Sequence, residues 1–375
     1  MKFSNSLFAS ILMVLLLSAC RIDPDWSVSV SGVDSQSAVQ AILPAMDQSA
    51  VLVTASSQRN WMLKRYSQQG LMLNEQSLQG TARATLVDSQ YYDGRYYLLM
   101  DNAQGSELRV YTEQFSLAWR QSFATADLRQ LVVQGTRVYL SGDRSLVLSQ
   151  QGRLLTQVDH AGSVYTELQV GLFGDIYVAN KSSVAAYTQE GGQLWQRVTT
   201  ARKVVNSVSL QWASGELFYA QASDDGSGVT ATMLSARTGD VKWQRELAAL
   251  DANPHVRHFP SQFLVRGDGV VVVLQSTATL RQFTALGSNH GKPQWQVDYS
   301  SRGAEVAKLA VGLDEESLVV IGQGRTEQFS SEGKRVAWHT AVAPVAEGGQ
   351  LLVVDTGIYV AQEHDGEWRL SYFAR

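Results

Sequence analysis

The sequence predicts an all-β protein, an eight-bladed β-propeller of four-stranded blades closed by its own N-terminal strand. Three observations carry that expectation. No stretch after residue 25 holds a sustained 3.6-residue apolar period. Short apolar or alternating runs recur instead ("SAVLVTA", "RYYLLM", "RVYLSG", "GVVVVLQ", "SLVVIG"), separated by Gly, Asp and Asn turns. A glycine turn leading into a tryptophan then repeats, as in "GGQLWQRV", "GDVKWQREL", "GKPQWQVDY" and "GKRVAWHTA".

The chain has 375 residues, with 45% hydrophobic and only 18% charged residues and a formal net charge of −4. A mildly acidic chain of this kind lacks the basic face that a nucleic-acid partner requires. Its first segment reads as a secretory signal: Lys2, an apolar run from Leu7 to Leu17, then Ser18-Ala19-Cys20. Leu7 to Ala19 is too short to cross a hydrocarbon core, which takes about 20 residues. "LSAC" resembles the bacterial lipobox. That resemblance implies cleavage between Ala19 and Cys20, lipidation of Cys20 and, with Arg rather than Asp at position 21, sorting to the outer membrane facing the periplasm. Cys20 is the single cysteine, so no intramolecular disulfide can form in an oxidising compartment. The expected organisation is a signal peptide over 1–19, a lipidated cysteine and tether over 20–25, and one propeller domain over 26–375.

Each blade is marked by an apolar residue followed by Ser or Thr, a turn, and an apolar slot. The pairs are Tyr66-Ser67, Tyr111-Thr112, Leu148-Ser149, Tyr187-Thr188, Leu234-Ser235, Phe283-Thr284 and Phe329-Ser330. The slots are Leu73, Trp119, Leu155, Trp195, Trp243, Trp295 and Trp338, at intervals of 36 to 52 residues, against roughly 40–45 for a propeller blade. Leu370-Ser371 supplies an eighth pair with no slot after it, and Trp26 in "DWSVSV" an eighth slot with no pair before it. The two halves make one blade if the ring closes, which also removes the open sheet edge. The slot tryptophans are read as structural contacts between blades, with Leu73 and Leu155 as smaller side chains in tighter sites.

An eight-bladed ring with a glycine turn before tryptophan resembles the pyrroloquinoline-quinone (PQQ) repeat propellers. With a lipobox and no catalytic domain it is similar, among these, to the outer-membrane β-barrel assembly lipoproteins of the BamB family. "ILPAMDQSAVLVTA" (42–55) is similar to the segment that opens that family's first blade and "APVAEGGQLLVVD" (343–355) to the start of its last. The resemblance implies a lipid-anchored periplasmic scaffold that binds outer-membrane assembly proteins as a monomer within a complex. Two departures stand against it: the family's usual Ala-Leu-Asp before the turn is here Tyr, Leu or Phe with Ser or Thr, and its Leu-Arg-Gly-type contact loop is missing. The nearest counterpart is "TTARKVVNS" after Trp195, with Arg202 as the candidate partner contact. A propeller lipoprotein of another envelope complex, or a degenerate quinoprotein-type enzyme, are the alternatives.

Little else in the sequence suggests chemistry. Quinoproteins of this superfamily bind PQQ and Ca²⁺, several beside a vicinal cysteine pair that this chain lacks, so no cofactor is expected. His255 and His258 fall in a loop with Pro254, where residues three apart do not share a strand face. "SDDGSG" (223–228) lacks the alternating ligands of an EF-hand, and Asp93-Gly94 and "RGD" (266–268) read as hairpin turns. No Gly-x-Ser-x-Gly elbow or phosphate-binding loop occurs. The expectation is a non-enzymatic protein without metal.

Overall fold

The computed structural model describes residues 24–374 except 31–37, 57–59, 79–83, 125, 161–163, 181, 199–207, 223–227, 248–258, 267–269, 277–280, 300–307, 312–317, 323–324, 341–348 and 365. Among the described residues all regular structure is strand, arranged as eight four-stranded antiparallel sheets. Seven sheets are consecutive in sequence: blades 1 (38–78), 2 (85–124), 3 (128–159), 4 (167–198), 5 (208–247), 6 (259–299) and 7 (308–340). Blade 8 takes three strands from 350–374 and its fourth from Trp26–Ser29. There Trp26 stands opposite Tyr372 and Ser29 opposite Arg369.

Burial explains why these runs become strands in this order. The second and third strands of blades 1 to 4 are buried through their centres and mostly apolar, as in Tyr96–Met100 and Val138–Leu140, with Lys64, Glu107 and Arg109 as buried charged exceptions in the third strands of blades 1 and 2. They are sandwiched between neighbouring sheets, so they lose the polar alternation of a half-exposed strand. The fourth strand carries polar residues at most positions and is largely exposed, as in Met72–Leu78 and Gln193–Val198. The first strands of successive blades touch one another from blade 1 round to blade 8, and that of blade 8 touches that of blade 1. Core residues follow the same plan, the larger apolar clusters each drawing on two neighbouring sheets.

The cluster joining the first and last blades includes Ile42, Leu52 and Tyr66 with Tyr359, Trp368, Leu370 and Tyr372. Gln48 of blade 1 and Asp355 of blade 8 exchange two hydrogen bonds, and the Tyr359 hydroxyl donates to the Gln48 carbonyl at 3.0 Å. The seam is thus packed like the other blade junctions.

The register corrects the sequence reading at five places. Where the third and fourth strands pair, one residue of the fourth is skipped as a β-bulge, and the tryptophan stands directly after it: opposite Val110 for Trp119, Ala186 for Trp195, Met233 for Trp243 and Ala285 for Trp295. Leu73 and Leu155 are themselves the bulged residues, and they are 51% and 42% exposed. A bulged residue is left unpaired and the pleat phase changes around it, so the slots in blades 1 and 3 are Asn74 and Thr156. In blade 7 one more residue separates the turn from the tryptophan; Ala337 follows the bulge, and Trp338 stands one position on, opposite Glu327. The pair before the turn in blade 6 is Leu286-Gly287, since Leu286 meets Pro293 across the turn, while Phe283 and Thr284 are buried within the strand. In blade 8 Leu370-Ser371 likewise sits within the strand, opposite Val28 and Ser27.

Trp26 stacks on Tyr372 with centroids 5.8 Å apart, meets Tyr359 edge-on at 6.1 Å, and reaches into blade 1. Trp26→Ala should lower the free energy of unfolding by about 2–4 kcal/mol, read as a fall in urea midpoint at constant slope, although residue 26 lies at the start of a four-residue strand.

Candidate functional site

The recurrent feature of the molecule is the junction between the fourth strand of one blade and the turn before the fourth strand of the next. In blades 1 to 5 and 7 a Ser or Thr opens the turn and closes it with its hydroxyl; in blade 6 Gly287 stands there, and the Lys292 N–H donates to His290 Nδ1 instead. Ser67 accepts from the Gln69 and Leu71 N–H groups, Ser149 from Gln151 and Arg153, and Ser330 from Glu332 and Lys334. This side-chain turn holds the chain so that a residue with positive φ follows. At Gly239 φ is 74°, and a Cβ there would stand 2.7 Å from Trp195 Cδ2 of the preceding blade. The same indole donates from Nε1 to the Ala236 carbonyl of that turn at 2.9 Å.

This arrangement occurs five times. Trp119 lies on Gly152, Trp195 on Gly239, Trp243 on Gly291, Trp295 on Gly333 and Trp26 on Gly70. Each indole N–H is satisfied by a turn carbonyl at 2.5–2.9 Å. The tryptophan needs the glycine because its ring occupies the space of a side chain.

The exceptions follow the same logic. The turn of blade 2 has Phe115, at φ 67°, in the glycine position. Facing Asn74 rather than tryptophan, Phe115 turns inward, 2% exposed, against Tyr96 at 5.6 Å. Arg65 joins Asp47 and Glu113 at 2.8 and 3.3 Å across the same junction. Blade 3 offers Thr156, whose methyl lies against Gly191. Blade 8 has no such turn, because its third and fourth strands come from opposite ends of the chain; Ala374 N–H donates to Asp25 instead.

A second set of interblade bonds lines the first strands. Asp88 accepts from the Leu131 N–H at 2.8 Å, Gln130 from the Leu168 N–H, and Glu167 from the Leu210 N–H at 3.4 Å, each reaching the next blade. Gln90 to Val133 at 2.6 Å and Gln169 to Trp212 at 3.4 Å repeat the bond two residues on. Burial pushes the carboxyl of Asp88 up to about 6 and that of Glu167 up to about 8, against the backbone donors that favour the charge. No sequence pattern singled out this belt, although Asp88-x-Gln90 and Glu167-x-Gln169 share a spacing that marks one face of a strand.

Among the described residues the other polar groups give no catalytic constellation. His160 Nε2 is 2.8 Å from Ser145 Oγ, both buried, in a nest with Tyr165 and Tyr187. Burial lowers its pKa to about 4, leaving a neutral imidazole packed in a blade junction. A cleft of about 210 Å³ between blades 2 and 3 is lined by Phe123, Leu146, Leu148 and Leu154, and its one charged side chain, Arg144, is paired with Asp143. Among the described residues no cluster of three or more His, Cys, Asp or Glu side chains could hold a metal. Ala19, Cys20, Arg202, His255 and His258 lie outside the described residues.

Residues 104–283, from blade 2 into blade 6, match the family described as outer membrane protein assembly factor BamB. The chain resembles the BamB family. Among solved structures, BamB from Moraxella catarrhalis is 14% identical with a TM-score of 0.63, the match covering 94% of this chain and 99% of that one. The C-terminal WD40 domain of Sif2 is 11% identical with a TM-score of 0.68, over 94% and 100% of the two chains. The quinohemoprotein alcohol dehydrogenase ADHIIG from Pseudomonas putida HK5 is 10% identical with a TM-score of 0.58, over 94% and 76%. At such identities these likenesses establish the propeller fold. A comparison with curated protein sequences finds no match.

The junctions and the belt each yield a prediction. Gly239→Ala should cost about 2–4 kcal/mol, from left-handed backbone plus the clash with Trp195, whereas Gly215→Ala, at φ 81° with nothing within 4 Å, should cost about 1–2 kcal/mol. Trp195→Leu combined with Gly239→Ala should recover part of the loss in a urea-unfolding cycle. Glu167 has a folded pKa raised from 4.5 to about 8. Below the lower value it is neutral in both states and carries no penalty; as pH rises toward 8 the unfolded chain ionises first and the native state loses ground. Glu167→Gln should therefore stabilise the protein by on the order of 3 kcal/mol at pH 8 and by little at pH 4.

Proposed function

We propose that the protein is a lipid-anchored scaffold of the outer membrane that faces the periplasm and binds protein partners in the assembly of outer-membrane β-barrels. The observation that carries this reading is the match of residues 104–283 to the outer membrane protein assembly factor BamB family. Its action is binding and positioning, with no turnover. Cleavage after Ala19 and acylation of Cys20 attach it to the membrane, residues 20–25 form the tether, and 26–375 form the propeller. Arg202, in the stretch after blade 4, is the proposed partner contact. The protein acts as a monomer within its complex.

The repeat favours a second reading. Tyr, Leu or Phe with Ser or Thr before the turn departs from the Ala-Leu-Asp usual in BamB-type repeats and supports service in a different envelope complex. A quinoprotein-type activity has the weaker support of a shared fold with the alcohol dehydrogenase. PQQ absorbance retained by the purified protein with Ca²⁺ would favour that activity over a scaffold.

Crosslinking the lipidated protein in its native envelope, with Cys20→Ser as the mislocalised control, should enrich the barrel-assembly machinery as read by mass spectrometry. Arg202→Glu should reduce that enrichment without changing the unfolding midpoint. Enrichment of another complex, with that machinery absent, would discard the proposed role and leave the fold untouched.

A further inference from the structure

The two ends of the ring differ in their exposed side chains. One end carries the turns between first and second strands and between third and fourth strands; the other carries the remaining connections. In the hairpin of blade 4, between Glu167–Val170 and Ile176–Ala179, Leu172 and Phe173 are 69% and 83% exposed. The Gly171 N–H to Asp175 carbonyl bond holds that tip, and Gly174 at φ 87° completes the turn. Met46, 74% exposed, occupies the equivalent turn of blade 1, and Leu71 and Met72 follow that blade's glycine turn, at 66% and 50%. The other exposed large apolar residues of the fourth strands, such as Leu117 and Leu154, stand at the end of the strand next to the same turns. Among the described residues only Val164 and Val198 lie toward the opposite end.

The tether leaves from that same apolar end. Trp26 opens the fourth strand of blade 8 and packs on the Gly70 turn, and Asp25 bonds to Ala374 and Tyr372 beside it. From Cys20 to Asp25 are five residue steps, a reach of at most about 18 Å. In a ring of eight, blade 4 stands across from blade 8. The anchor therefore sits at one edge of this face, the Met46 and Leu71–Met72 group beside it, and the Leu172–Phe173 tip at the far edge.

We infer that this face lies against the lipid surface, with Phe173 and Leu172 inserted at the interface as a second attachment opposite the lipid anchor. This rests on the acylation of Cys20 proposed above. An anchor alone leaves a propeller free to swing about a short flexible chain. A second apolar contact at the opposite rim holds the ring flat, so that the end bearing Val164 and Val198 faces away from the bilayer. Leu172 and Phe173 stand next to each other at the tip of a tight turn, with Asp175 at its base, and an aliphatic and an aromatic side chain so exposed suit partition into the headgroup boundary.

Because Cys20 is the single cysteine and is acylated in the mature protein, one introduced cysteine can be labelled selectively. Phe173→Cys and Val198→Cys, each carrying an NBD fluorophore, would be prepared as full-length lipoproteins in phosphatidylethanolamine–phosphatidylglycerol vesicles containing a spin-labelled lipid quencher. The expected result is a blue-shifted, quenched emission at 173 and an unshifted, unquenched emission at 198. Both labels remaining in water on protein that floats with the vesicles would overturn the inference while leaving the anchor intact. So would quenching confined to 198. Protein that fails to float would refute the anchor and the inference together. A label at 173 exposed on vesicles but shielded in the native envelope would assign the face to a protein partner and overturn the lipid contact.

Discussion

Five of the eight blade junctions depend on the packing of a tryptophan from one blade over the backbone of a glycine turn in the next. A four-stranded sheet with two apolar faces cannot be stable alone; it must be covered on both sides. The indole covers area, and its N–H, pointed at a turn carbonyl, fixes direction as well. Trp195 on Gly239 and Trp243 on Gly291 show how one position can serve as both contact and register mark. The coupling is local and directional, so the ring is a chain of similar junctions, each linking the fourth strand of one blade to the following turn.

The inner belt solves the complementary problem on the axis side. First strands approach one another without pairing as a sheet, and their N–H groups need acceptors. Asp88, Gln130 and Glu167 supply these from the preceding blade. Where the acceptor is a carboxyl, burial works against its charge, so the belt trades some stability near neutral pH for a defined spacing of blades. Glutamine achieves the same bond without a charge, which makes the two acidic members the sensitive points of the ring.

A close polar pair differs from a reactive one in its access to solvent and substrate. The buried His160–Ser145 pair illustrates the distinction: its geometry could suggest a nucleophile and base, yet both side chains are enclosed by Tyr165 and Tyr187. What the fold offers outward are its turns and rims, and they are not alike at the two ends. The strand Trp26–Ser29 enters blade 8 at the end of the ring that carries the turns between third and fourth strands.

The blade repeat and the count of eight were legible in the sequence because turn chemistry is local: in most blades Ser or Thr opens the turn, a residue with positive φ follows, and the strand resumes. Trp26 could be matched to the last blade for the same reason, since a lone strand before blade 1 has no other partner. Which residue fills each slot was not legible by residue type. Counting four residues from the positive-φ position finds Asn74, Thr156 and Ala337, whereas seeking the nearest large apolar residue led to Leu73, Leu155 and Trp338. The bulge that decides between them is a property of strand pairing. Phe115 in a glycine position, the Asp88–Gln130–Glu167 belt and the uneven distribution of exposed apolar turns were invisible for a related reason. Each depends on which blade stands beside which, so local sequence determined the blades and tertiary structure alone decided how their side chains meet.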